Sequence, residues 1–154
     1  MPSTPASPQE LDQLEAMIDA WLERELAENP TVAAVDRDES DVRRWFVRLA
    51  GEEKKTFTIW FTLRQRTLPY ETYVMPAPEE NFERFYEHLL RRNLTLFGAA
   101  FTIGEEVAVF LVGQLPLAAI TEDELDRILG SMYAYVEQFF RPALRIGLAS
   151  HFKD

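Results

Sequence analysis

The sequence predicts an α+β domain built on one antiparallel sheet of about five strands flanked by helices. Three observations predict it. Residues 56–64 alternate apolar and polar without a break, as a strand buried on one face does. The links on either side of that stretch are turn-length, so its neighbours lie beside it in a meander. Helical apolar spacing recurs only before, between and after the strand groups. The element order is α-β-β-β-α-β-β-α with no internal repeat, which is the grammar of α+β folds and not of repeated βαβ units.

The first helix opens on Ser7-Pro8-Gln9-Glu10, a capping box with proline at the first helical position. Leu11, Leu14, Met17, Ile18, Trp21, Leu22 and Leu26 form its apolar stripe, and Asn29-Pro30 ends it. Residues 36–41 read as a charged connector. The first strand covers residues 45–49, with a turn at 51–55. In the second, Phe57, Ile59, Phe61 and Leu63 face one way and Thr56, Thr58, Trp60 and Thr62 the other. Leu68, Tyr70, Thr72 and Val74 continue as a third strand, where Pro69 implies an edge or a bulge.

Pro76-Ala77-Pro78 predicts the start of a second helix, with Glu79, Glu80 and Glu83 complementing its dipole and Asn93 as its C-cap. Residues 95–103 and 107–112 read as a hairpin around Gly104-Glu105-Glu106. The second of these strands is apolar throughout, which predicts cover on both faces. Thr121-Glu122-Asp123-Glu124 caps a long third helix carrying Leu125, Ile128, Leu129, Met132, Tyr133, Val136 and Phe140. Gly130 inside it predicts a close approach, since glycine costs a helix about 1 kcal/mol relative to alanine. Pro142 predicts a break or kink, leaving residues 143–152 as a further turn or a tail. Two helices are expected on one face of the sheet and the third near an edge or interface.

With 154 residues, the chain is long enough for a single core: residues 1–7 read as a disordered leader and 8–154 as one domain. The absence of cysteine removes disulfides, thiolate nucleophiles and zinc fingers. Of the net charge of −10, most lies in residues 1–41, with 11 acidic and two basic residues; the rest is nearly neutral. Such a segment repels phosphate backbones and anionic lipids. No signal-peptide pattern or membrane-length apolar run is present, so the expected location is the cytoplasm, with no membrane partner.

Three segments carry a family resemblance. WFTLRQRTLPYETYVMPAPEENFERFYEHLLRRN (60–93), VFLVGQLPL (109–117) and LDRILGSMYAYVEQFFRPALRIG (125–147) resemble the actinobacterial branch of the YbjN-domain family, in the same order. The likeness covers roughly residues 44–152. It implies a fold similar to type III secretion chaperones, which are often dimeric and often bind unfolded segments of partner proteins. It implies no catalytic residues.

The residues themselves suggest no catalysis either. Glu83 and Glu87 lie i,i+4, but His88 points about 100° from Glu87, and Glu87 with Arg91 makes an ordinary ion pair. His151 has no evident partner. The six glycines form no phosphate loop, and no serine sits in a nucleophile elbow. The reading therefore assigns no catalytic, metal or cofactor residues. Arg43, Arg44, Arg48, Lys54, Lys55, Arg64 and Arg66 surround Trp60, a weak pattern for single-stranded nucleic acid that the acidic first helix opposes.

One pattern stands out. In unbulged strands Phe46, Trp60 and Tyr73 share the face opposite Phe57, Ile59 and Phe61. Large aromatics among Thr and Arg must be covered by a helix, a second subunit or a client. The expected function is a non-catalytic protein-binding module, chaperone-like or regulatory, working as a homodimer, with Phe46, Trp60 and Tyr73 as partner-binding residues. Nucleic-acid binding and an unrecognised enzyme are the alternatives.

Overall fold

A computed structural model describes residues 4–152. The chain opens as its sequence dictates. The Ser7 hydroxyl accepts from the Glu10 N–H and the Glu10 carboxylate from the Ser7 N–H, both at 3.2 Å, closing the capping box of α1 (Pro8–Glu28). This helix buries Leu11, Ile18, Trp21 and Leu22. Of the expected leader, residues 1–3 lie outside the described residues, while the Ala6 N–H donates to the Gln65 carbonyl at 2.8 Å.

The strands are β1 (Val32–Arg37), β2 (Arg44–Ala50), β3 (Thr56–Thr62) and β4 (Thr67–Met75), then, beyond α2 (Phe82–Asn93), β5 (Ala100–Ile103) and β6 (Val109–Pro116). They form one sheet in the order β1-β2-β3-β4-β6-β5, antiparallel throughout. The expected order stands, with one strand added: β1 lies where the charged connector was expected to begin. It pairs on one side only, has a register shift between Val32 and Ala34, and fully buries Val32 alone, so it has little alternation to display. β5 is shorter than expected and β6 longer.

One face of the sheet carries the core. Trp45, Val47, Leu49, Phe57, Ile59, Phe61, Leu68, Tyr70, Leu111 and Leu115 are buried there. Trp21 of α1 meets Phe61 edge-on at 5.9 Å. α3 (Glu122–Gly147) stacks Tyr133 on Phe57 at 6.1 Å and sets Phe139 edge-on to Phe101 at 6.0 Å. The two buried indoles find carboxylates: Trp21 donates to Asp126 at 2.8 Å and Trp45 to Asp19 at 2.7 Å. α2 lies at the β5 edge and beside α3. Asn93 clamps its end to β5, donating to the Phe101 carbonyl at 3.2 Å and accepting from the Phe101 N–H at 2.7 Å. Gly113 is required where β6 passes Tyr70: a Cβ there would lie 2.3 Å from the Gly98 carbonyl oxygen and 2.4 Å from the Tyr70 ring.

Four expectations about the helices change. α2 begins at Phe82, after Asn81 at φ 54°, rather than at the Pro76–Pro78 segment. Glu79 and Glu80 do not open it. Their N–H groups hold the Gly147 carbonyl, Glu80 accepts from Ser150, and Glu79 meets His151 at 3.1 Å, which gives His151 its partner. Asn93 is the last residue of α2, and Leu94 is the cap. Pro142 does not end α3. The segment beyond it buries Ala143 and Gly147, with Gly147 against Phe85 and Pro78, and that packing offsets the lost hydrogen bond. Gly130 is the fourth: nothing approaches it.

Candidate functional site: an open aromatic sheet face

The helix contacts described above all fall on one face of the sheet. The other face follows from the register. Phe46 lies opposite Trp60, Trp60 opposite Glu71, and Glu71 opposite Val112; two residues further along, Tyr73 lies opposite Phe110. The period of two therefore brings Phe46, Trp60 and Tyr73 to one surface, as their spacing predicts. Phe46 and Trp60 meet edge-on at 5.9 Å, and Tyr73 and Phe110 at 5.7 Å. Trp60 is 39% and Tyr73 43% exposed; Phe46, Phe110 and Val112 are half-buried.

Sequence reasoning missed Phe110 and Val112. It expected both faces of β6 to be covered, but only Val109, Leu111 and Leu115 are buried. The alternation is hidden because β6 is apolar on both sides, so residue type does not distinguish its covered face from its open one.

The end of this face near Tyr73 is held by an unusual lysine. The register of β4 against β6 shifts between Tyr73 and Met75, and Lys54 donates to the main-chain carbonyls of Tyr73 at 3.0 Å and Val74 at 2.7 Å. Its ammonium lies 4.9 Å from the Tyr73 ring centroid and 5.1 Å from that of Phe140. Burial pushes its pKa down to about 8. Burial also raises the Tyr73 phenol, and Glu106 adds to this. The loop bearing Lys54 is bolted to α3: Glu137 accepts from the backbone N–H groups of Glu52, Glu53 (2.8 Å) and Lys54 (3.2 Å), and Arg141 pairs with Glu53. Burial raises the Glu137 carboxyl, but these three N–H groups and Tyr133 hold it below the usual range on balance.

Two of the basic residues around Trp60 are engaged by carboxylates. Arg43 pairs with Asp12 and Glu15 of α1, both at 2.8 Å, and Arg44 with Asp38 at 3.4 Å. Arg37 reaches Asp19 at 3.1 Å. Of the basic residues that surround Trp60 in the sequence, the acidic helix thus neutralises Arg43. Glu87 pairs with Arg91 at 3.2 Å. His88 keeps a buried Nε2 without a hydrogen-bond partner, and burial, with Arg92 and Arg84, lowers its pKa.

A second apolar surface lies at the β5 edge. A groove of about 300 Å³ runs between α2 and β5, lined by Tyr86, Leu89, Leu90, Phe101, Thr102 and Ile103. Leu90 and Ile103 of its lining, and Leu94 and Phe97 between α2 and β5, are each more than half exposed. Among the described residues no helix is long and apolar enough to cross a membrane.

Comparison with known proteins places this architecture. A family model, YbjN, described as "Putative bacterial sensory transduction regulator", matches residues 15–145. An uncharacterised protein of Mycobacterium bovis is 36% identical over 104 residues, 68% of this chain and 57% of that protein. One from Mycobacterium leprae is 34% identical over 107 residues, 70% of this chain and 58% of its own length. The matched stretch thus spans little more than half of these relatives. The crystal structure of the ExsC–ExsE complex matches with a TM-score of 0.58 at 18% identity, covering 83% of this chain and 94% of the other. That likeness shows the fold, which is the type III secretion chaperone-like one expected above. The family match, over most of the chain, establishes that this chain belongs to the YbjN family.

Proposed function

We propose that the chain is a non-catalytic, chaperone-like or regulatory module of the cytoplasm that buries a segment of a partner protein on its open sheet face. The observation that carries this reading is the row of Phe46, Trp60, Tyr73 and Phe110, two edge-on aromatic pairs across four adjacent strands, with Trp21, Tyr133 and Phe139 of the helices packed on the opposite side. Aromatic groups on a rigid sheet supply contact area at little conformational cost, which is how interface anchors work. The partner seen with the structural neighbour, in the ExsC–ExsE complex, supports a protein partner here.

In the same reading the chain is a homodimer, with the exposed apolar side of α2 as the seam. Glu83 and Glu87 lie toward the N-terminal end of α2 and Arg91 toward its C-terminal end, so an antiparallel pair of these helices sets unlike charges together.

Affinity capture with wild type beside Trp60→Arg and Tyr73→Arg, each verified as folded by circular dichroism, tests the sheet face. A protein held by wild type and lost by both folded variants is the expected result. Equal retention by all three would overturn it. Sedimentation of Leu90→Glu tests the seam: a dimer that dissociates is expected, and an unchanged dimer contradicts the α2 assignment.

A further inference from the structure

Glu71 stands inside the aromatic row of the open face. Directly opposite it lie Trp60 on β3 and Val112 on β6, and Tyr73 follows two residues along its own strand. The side chain is half-buried among these groups. Among the described residues it makes no side-chain hydrogen bond and no ion pair. The cations of this face are placed elsewhere. Arg44 donates to Thr62 at 3.0 Å and pairs with Asp38, and Lys54 holds the Tyr73 and Val74 carbonyls. Arg48 is exposed on β2, two strands from β4 and so roughly 10 Å away across the sheet, backbone to backbone. Trp60 is also unclaimed: among the described residues cation–π contacts fall on Trp45, Tyr73, Phe140 and Phe97, and none on Trp60.

A partner laid on this face strips water from the Glu71 carboxylate. That loss is costly unless the partner brings a cation to it. A guanidinium suits both neighbours at once. Its fork matches the two carboxylate oxygens, and its plane lies flat on an indole. An ammonium is a point charge and offers neither match. The net charge of −10 draws basic segments toward the chain before they dock.

We infer that the partner segment presents an arginine to Glu71, its guanidinium stacked on Trp60, with apolar residues on either side of it. The inference rests on the sheet-face reading above and adds the chemistry of what binds there. Phe46, Phe110 and Val112, half-buried around the pair, meet the apolar neighbours. Glu71 then sets specificity: a neutral side chain in that position leaves its carboxylate desolvated without a partner, and an acidic one repels it.

Random short peptides displayed on phage are the probe, selected on the folded full chain. The same library is run on Glu71→Gln, Glu71→Lys and Trp60→Arg. Glu39→Gln, at an exposed residue between β1 and β2, is the charge-matched control. Circular dichroism checks each fold first. Wild type and Glu39→Gln should enrich peptides with an arginine among apolar residues. Glu71→Gln should lose the arginine preference, and Glu71→Lys should replace it with aspartate or glutamate. A part-exposed ion pair with a cation–π contact is worth roughly tenfold in affinity. A selected peptide, followed by fluorescence anisotropy, should therefore bind Glu71→Gln about tenfold more weakly and Glu39→Gln within about twofold of wild type. Equal arginine enrichment on wild type and Glu71→Gln would overturn the inference. So would apolar peptides without arginine, although their loss in Trp60→Arg would leave the sheet-face reading standing. Peptides that bind Trp60→Arg as tightly as wild type, or no enrichment at all, would overturn both.

Discussion

Gly130→Ala should stabilise this protein by about 1 kcal/mol. Gly130 lies well inside α3, is exposed, and a Cβ built on it meets no heavy atom within 4 Å. Alanine is better than glycine by ~0.8–1.0 kcal/mol in a helix interior, chiefly because glycine frees the unfolded chain. Nothing in the folded structure opposes that gain, since the methyl enters open space. In a domain of this size, about 1 kcal/mol moves the melting temperature up by roughly 2–4 °C. Thermal and urea unfolding of both proteins at several concentrations is the assay, with the urea slope unchanged and the midpoint raised. A lower midpoint would refute the reasoning, because it would require a close neighbour at residue 130 that the monomer lacks. A loss growing with protein concentration would identify that neighbour as a second copy.

The other glycines and the core give sharper penalties. Gly113→Ala drives a Cβ into the Gly98 carbonyl and the Tyr70 ring and should cost roughly 1–3 kcal/mol in urea unfolding. Trp21→Ala, at a side chain 1% exposed, should cost ~3–5 kcal/mol, whereas Trp21→Phe should lose only about 1 kcal/mol with the bond to Asp126. The Glu137 carboxyl is lowered in the folded chain. Its contribution is therefore complete above the usual glutamate pKa of about 4.3 and lost as pH falls through the lower folded value. Hydrogen exchange at Glu52, Glu53 and Lys54, corrected for the intrinsic pH dependence, should lose protection over that acid range in wild type. In Glu137→Gln it should be weak at every pH, and equal protection in the two proteins would contradict the role of Glu137.

Local pattern revealed the parts of the fold that local pattern controls. The β3 alternation was readable because one face is buried against Trp21 and Tyr133 and the other is not. Both N-caps were readable because the cap hydroxyl and the N–H it accepts from lie three residues apart. At Ser7 the capping box closes, whereas at Thr121 only the hydroxyl half forms, because the Glu124 carboxylate takes Arg127 instead. What escaped is non-local. Glu79 and Glu80 have the composition of a helix start, yet they bind the chain's last turns some 70 residues away. Pro142 carries a breaker's signature that packing around Gly147 overrides. Phe46, Trp60 and Tyr73 could be placed on one face by counting in twos, but which face the helices choose is a tertiary fact. The Lys54 bonds to the Tyr73 and Val74 carbonyls fall at a register shift in β4 that no residue type announces.

The central claim is that the open sheet face, and not the helix side, meets a partner. A photo-cross-linking residue, benzoylphenylalanine, placed at Trp60 and separately at Ala20, an exposed position on α1, tests it in the living host. The account predicts a discrete protein adduct from position 60 that is absent from position 20. An adduct from position 20 alone, or none from position 60 in a folded chain, would contradict it.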